Sequence, residues 1–119
     1  MIEDDPEVLE MLRRLLEFRG YRTLLAGSGV AGLDIYRGRH CEIQAVITDL
    51  RMPDLHGLKV IEELRLINPD ARIVVMSGVV GTNPMPADQS GRLVFLPKPM
   101  SGDELVRALR SVVGVPSGA

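Results

Sequence analysis

The sequence predicts an α/β protein, a parallel sheet with helices packed on both of its faces. Three observations carry this. Short apolar runs alternate with stretches of helical periodicity along the chain. The central runs, Ala45-Val46-Ile47 and Ile73-Val74-Val75-Met76, are apolar throughout rather than at every second residue, as strands buried on both faces are. The residues with chemical potential fall directly after the runs, where open α/β sheets present them.

The chain has 119 residues, enough for one domain with its own core and too few for two. Hydrophobic residues make up 45% of it, which places it among globular chains. A formal net charge of −2 leaves no basic footprint for direct nucleic-acid binding. Aromatic residues at 3%, with no Trp, give little support to base stacking. Cys41 is the single cysteine, so an internal disulfide is excluded and a reducing, cytoplasmic setting fits. Its expected role is a small apolar filler near a strand. No signal peptide or membrane-length apolar segment occurs, so no membrane partner is expected.

Only Met1 and Ile2 precede the acidic run Glu3-Asp4-Asp5, which makes the first strand very short. Residues 6–19 read as the first helix: Asp5 can cap it, Pro6 suits its first position and Gly20 can end it. Val8, Leu9, Leu12, Leu15 and Leu16 form one stripe on it. Residues 21–26 read as the second strand, and Ser28 as the cap of a helix over residues 30–37. Residues 44–48 are the third strand, with Asp49 at its tip. Leu58, Ile61 and Leu64, with Leu66 a further candidate, mark a third helix closed by Asn68-Pro69. Residues 72–76 and 93–96 are the fourth and fifth strands. Ser101-Gly102-Asp103-Glu104 is a capping box that opens a final helix to Val113. The domain is therefore expected over residues 1–113, with the Gly/Pro/Ser-rich residues 114–119 a flexible tail or linker. Between Ser77 and Leu93, the segment Gly81-Thr82-Asn83-Pro84-Met85-Pro86 has two prolines and no apolar stripe. A loop with at most one helical turn is predicted over residues 79–92, with Val79-Val80 part of an exposed apolar patch.

The strand-tip rule gathers Glu3-Asp4, Asp49, Ser77 and Lys98. Two carboxylate sets at neighbouring tips repel each other unless a cation lies between them, and several acidic oxygens at one rim suit a hard cation such as Mg2+. Glu3-Asp4-Asp5 is also an acidic helix start that the helix dipole favours, and Asp5 fits that capping role alone. Lys98, between Pro97 and Pro99, has a restrained backbone and can neutralise the cluster or bind a phosphoryl oxygen. Ser77 could donate to the same group, although before Gly78 it also suits a turn. His40 and His56 are weak features. His56, near Asp49, reads as a solvated loop residue rather than a base or a phosphodonor.

In this order the residues resemble the receiver domain of two-component response regulators, over nearly the whole chain. The resemblance rests on Glu3-Asp4, on Asp49-Leu50-Arg51-Met52-Pro53 with Gly57 after it, on Ser77-Gly78 and on Lys98-Pro99. It implies a flavodoxin-like, doubly wound, five-stranded sheet in the order 2-1-3-4-5, with the fourth helix missing or irregular here. It implies that a histidine kinase or histidine phosphotransfer protein gives a phosphoryl group to Asp49. Mg2+ would be bound by Asp4, Asp49 and the backbone carbonyl of Arg51, with Glu3 helping through water, and Lys98 would share the charge screening. Self-phosphorylation and autodephosphorylation would both be Mg2+-dependent. Ser77 would move to meet the phosphate and Phe95 would rotate inward, without the hydroxyl a Tyr would bring. A cis Lys98-Pro99 peptide is also implied.

Effector or kinase domains would lie outside this chain, and residues 94–107 look similar to the C-terminal receivers of hybrid sensor histidine kinases. In that strand order the first strand is interior, so a start at Met1 leaves ladder groups open on both neighbours; the expectation is that the natural chain begins earlier. Two alternative functions share these residues. A degenerate receiver acting only as a protein-binding module is opposed by the presence of every acceptor-site residue type. A Mg2+-dependent phosphohydrolase with Asp49 as nucleophile needs a carboxylate two residues later, where Arg51 stands.

Overall fold

The computed structural model describes residues 1–78, 91–98 and 100–114. Helix α1 (Pro6–Phe18) starts at Asp5, whose carboxylate accepts from the N–H groups of Glu7 and Val8, with Pro6 in the first turn. It stops at Gly20, which takes a φ of 91° that side chains disfavour. There the Gly20 N–H donates to the Glu17 carbonyl and the Tyr21 N–H to that of Leu16, both at 3.0 Å, closing a Schellman motif. Helix α2 (Gly29–Arg39) is capped by the Ser28 hydroxyl, which accepts from the Ala31 N–H. It runs two residues past its expected end into a 3-10 turn, His40–Glu42. That extension carries Cys41 to the surface, so Cys41 is an exposed free thiol and not the filler its sequence context suggested.

The remaining elements are β1 (Val46–Asp49), α3 (Gly57–Ile67), β2 (Ile73–Ser77), β3 (Leu93–Pro97) and α4 (Gly102–Val113). Helix α4 opens with the reciprocal capping box between Ser101 and Glu104 that the sequence predicted. Strands β1, β2 and β3 pair in parallel in that order. Two isolated parallel bridges extend the sheet, from Ile2 to Thr48 on one side and from Ile2 to Ala26 on the other. Across the sheet the order is thus Ala26, Ile2, β1, β2, β3, which is the predicted 2-1-3-4-5. The expected strand over residues 21–26 shrinks to a bridge at Ala26. A strand needs a ladder, and among the described residues the backbone that bonds this segment is the short run Met1 to Glu3.

The continuous apolar runs are explained by two core layers. Val46, Ile73, Val75 and Leu93 face α2 and α3, packing with Leu33, Val60, Ile61 and Leu64. Ile47, Val74, Met76 and Leu96 face α1 and α4, packing with Leu12, Leu16, Leu105 and Leu109. Side chains that alternate between two buried faces must all be apolar. Val74 and Val75 are fully buried, and each such side chain stabilises the fold by roughly 1.5–3 kcal/mol.

Among the described residues no helix is long and apolar enough to cross a membrane. The loop expected over residues 79–92 falls outside the described residues from 79 to 90, Val79-Val80 included. The cis Lys98-Pro99 peptide and the tail from residue 115 lie outside them as well.

Candidate functional site

The sheet ladder places Asp49. Its N–H donates to the Ile2 carbonyl at 3.1 Å, and the next N–H, of Leu50, donates to Met76 at 2.9 Å. The chain is thereby pinned on both edges at the point where β1 ends. The same ladder places Glu3, whose N–H donates to Ala26 at 3.0 Å. Asp49 is 7% exposed and Glu3 only 2%. Asp4, next along, is exposed.

Ligand oxygens of Glu3, Asp4 and Asp49 all lie within 4.8 Å of one another. Lys98 follows β3 and reaches over them. Its Nζ donates to Asp49 Oδ2 at 2.7 Å and stands 3.9 Å from Glu3 Oε2. The backbone of Lys98 is tied to the next strand tip, its N–H donating to the Ser77 carbonyl at 2.7 Å. The other Asp49 oxygen, Oδ1, accepts from the Arg51 N–H at 3.2 Å. Glu3 Oε1 accepts from the Asp5 N–H at 3.1 Å. Glu3 Oε2 is buried with no hydrogen-bond partner among the described residues.

That inventory leaves a charge deficit. Three carboxylates meet one ammonium, and two of the three are buried. Burial pushes the Glu3 carboxyl up to about 7, with Asp49 adding to the rise and Lys98 opposing it. A buried carboxylate oxygen with no partner is costly unless a cation or water completes it. The hard, oxygen-only donor set and this orphaned atom fit Mg2+.

The structure therefore brings Glu3, Asp4, Asp49 and Lys98 into one cluster. Ser77 sits beside them as the buried last residue of β2. Arg51 is exposed and linked to Asp49 through its N–H. Phe95 lies deeper in β3, paired in register with Val75 and half-buried on the layer that faces α2 and α3. His56 caps α3, its Nδ1 accepting from the Leu58 N–H.

The loop from Asp49 to α3 is fixed more firmly than its sequence suggests. Leu50 and Met52 are buried anchors. The Gly57 N–H donates to the Leu50 carbonyl at 2.7 Å, and a Cβ on Gly57 would stand 2.6 Å from the Leu50 Cα. Asp54 has a role that no local sequence pattern marks. Its two oxygens accept from the N–H groups of Gly29 and Val30, at 3.1 and 3.0 Å, so it caps α2 from a different loop. Those bonds hold its carboxyl below the usual range. Aspartate is a favoured cap, but the helix it serves begins 25 residues earlier, and no local spacing reveals that pairing.

An open parallel sheet with an acidic trio and a lysine on its carboxyl rim defines a recognisable class of signalling domain. The chain belongs to the response regulator receiver domain family, whose family model matches residues 1–110. It is similar to Response regulator MprA of Mycobacterium sp. (strain KMS), 35% identical over 114 residues, covering 95% of this chain and 49% of that protein. Response regulator MprA of Mycobacterium tuberculosis (strain ATCC 25177 / H37Ra) is 34% identical with the same coverage. The chain thus spans about half the length of the curated relatives it matches. Among solved structures it resembles a response regulator receiver domain protein from Clostridium thermocellum, with a TM-score of 0.83 and 28% identity over 95% of this chain and 90% of that one. The receiver domain from Hybrid Histidine Kinase CckA aligns with a TM-score of 0.77 and 28% identity, over 93% of this chain and 94% of that one.

Proposed function

We propose that this receiver domain is an active phosphoacceptor of a two-component phosphorelay, with Asp49 as the acceptor. The observation that supports this most is the Asp49 carboxylate itself. It is held at a strand tip between the Lys98 ammonium and the Arg51 N–H, beside a Glu3 oxygen that lacks a partner. A carboxylate fixed in this way is oriented for attack before any phosphodonor arrives.

In the proposed step an Asp49 oxygen attacks the phosphorus of a phosphohistidine. The P–O bond forms as the P–N bond breaks, and the imidazole leaves with the electron pair and takes up a proton. Asp4, Asp49 and the Arg51 carbonyl, with Glu3 through water, would hold Mg2+. That ion, when bound, supplies charge neutralisation for the transferring group and for the carboxylates around it. Lys98 can pass from Asp49 to a phosphoryl oxygen as Asp49 loses its charge. The Ser77 hydroxyl would meet the phosphate, and Phe95 is the aromatic that would respond. The phosphoryl group of the product carries about −1.5 to −2 of charge at one fixed point, in place of the carboxylate's single charge, and this biases a two-state equilibrium. The donor would be a histidine kinase or histidine phosphotransfer protein. The folded unit would be residues 1–113, with residues 114–119 linking it to whatever effector or kinase domain it serves.

Incubation with a small phosphodonor such as acetyl phosphate, with Mg2+, followed by intact-mass measurement, tests the reading. A phosphoryl adduct is expected on the wild type and not on Asp49→Ala. A wild type that takes no adduct, or an adduct that survives Asp49→Ala, overturns it.

A further inference from the structure

A closed ring of hydrogen-bonded segments includes both Glu3 and Asp49. The Asp49 N–H donates to the Ile2 carbonyl at 3.1 Å, and the Glu3 N–H donates to Ala26 at 3.0 Å. Just past Ala26, α2 starts at Gly29. There the Gly29 and Val30 N–H groups donate to Asp54 Oδ1 and Oδ2, at 3.1 and 3.0 Å. The chain from Asp54 back to Asp49 completes the ring. Its first two joints are backbone to backbone. The third is made by a side chain, so it is the joint that one substitution can open.

The loop on the acceptor side of that joint has little slack. Leu50 donates its N–H to Met76 at 2.9 Å and accepts from the Gly57 N–H at 2.7 Å. Met52 is buried, and Pro53 has a fixed φ. Between Leu50 and Met52, the Arg51 N–H donates to Asp49 Oδ1 at 3.2 Å. The start of α2 lies directly against this loop. A Cβ on Gly29 would stand 3.0 Å from Leu55 Cβ and 3.4 Å from Met52 Cε. The Asp54 carboxylate fastens that contact with charge-assisted bonds.

We propose that Asp54 is a positioning residue for the acceptor, its carboxylate fastening the β1–α3 loop to α2 so that the Arg51 backbone stays fixed beside Asp49. The consequence for rate rests on Asp49 being the acceptor; the fastening itself does not. Arg51 bonds the Asp49 carboxylate and also carries the carbonyl proposed for Mg2+, so freedom gained there loosens the ligand set. Both Asp54 oxygens are engaged by N–H groups, so Asp54 acts through the loop and touches neither the ion nor the phosphoryl group. A cap that served α2 alone would matter to stability and not to the rim.

Ser28→Ala is the control, because the Ser28 hydroxyl caps the same helix start from within its own segment, accepting from the Ala31 N–H at 3.1 Å. Asp54→Ala and Ser28→Ala are each expected to melt roughly 5 °C lower than the wild type. Only Asp54→Ala is expected to loosen the loop in metal-free protein, with 15N order parameters at Arg51 and Met52 falling from about 0.85 toward 0.6. It should also weaken Mg2+ binding roughly tenfold, read from amide shifts on titration with the metal alone. At saturating Mg2+ it should still slow adduct formation roughly tenfold. Asp54→Asn keeps one acceptor oxygen and should recover part of each loss. Unchanged order parameters or unchanged Mg2+ affinity in Asp54→Ala, or equal losses in Ser28→Ala, overturn the proposal. A wild type that takes no adduct refutes the acceptor reading instead, and the order parameters and the Mg2+ titration still decide this one.

Discussion

Asp49 and Glu3 are both less than a tenth exposed, and they share a single ammonium. Lys98 is closer to Asp49, at 2.7 Å against 3.9 Å for Glu3, so Glu3 carries the larger burden of unmet charge. This explains why burial dominates the upward displacement of the Glu3 carboxyl to about 7. Between 4.5 and about 7 the folded chain keeps a proton that the unfolded chain has lost, so this group makes stability fall as pH rises. The Met1 amine acts the other way. Burial lowers it from 8.0 to about 6, so the unfolded chain holds the extra proton and stability rises with pH across that interval. The second effect amounts to about 2–3 kcal/mol. Metal-free protein should accordingly show a stability minimum around pH 6–7 in denaturant titrations, and Glu3→Gln should remove its falling limb. A steady rise from pH 4.5 to 8 would contradict the Glu3 assignment, and a steady fall over the same range the Met1 assignment. Lys98→Ala should slow adduct formation from a small phosphodonor by about 10²-fold, read by intact mass against time. Asp49 and Lys98 were legible in the sequence because a strand tip is a position that hydrophobic pattern can locate. The orphaned Glu3 oxygen was not, because its burial depends on what the neighbouring strands enclose.

The β1–α3 loop, Leu50 to His56, holds the acceptor's surroundings through two contacts of different kinds. Gly57 lets α3 start in contact with the Leu50 backbone, where a Cβ would come within 2.6 Å of the Leu50 Cα and 2.7 Å of its oxygen. Neither neighbour is the far end of a flexible side chain, so something in the main chain must shift. Gly57→Ala should destabilise the fold by about 1–3 kcal/mol and slow phosphorylation as well, measured by unfolding and by adduct rate on the same protein. Unchanged values for both would show that the loop has slack. The Asp54 cap on α2 ties the same loop to a second helix. Helix starts were readable in advance where the cap is local, as at Asp5, Ser28 and Ser101. The strand over residues 21–26 was readable as a propensity but not as a ladder. Pairing is a property of two segments, and among the described residues Met1 to Glu3 are what stand beside this one.

The whole molecule separates what the sequence specifies strongly from what it specifies weakly. Two helical layers on an interior sheet follow directly from runs that are apolar on both faces, as at β2. The acidic rim lies at the carboxyl end of that sheet, where backbone order gathers charges that hydrophobic pattern alone does not reveal. If the rim holds a dication, metal binding must stabilise the entire fold, because the unfolded chain has no such cluster. Mg2+ at a hundredfold excess over its dissociation constant should add about 2.7 kcal/mol to the wild type. Asp4→Ala should lose most of that gain while unfolding at nearly the wild-type midpoint without metal, since Asp4 is exposed. A gain that is equal in both proteins would place the ion elsewhere.

Asp49 is the acceptor only if the phosphoryl group can be found on it. Treating the phosphorylated protein with borohydride reduces an aspartyl phosphate to homoserine, and peptide mass spectrometry then reads the altered residue. Homoserine at position 49, formed only after phosphodonor and Mg2+ are supplied, is the predicted result. An unchanged Asp49 in protein that carries the phosphoryl adduct, or homoserine at Asp4 or Asp54 instead, would contradict the central claim.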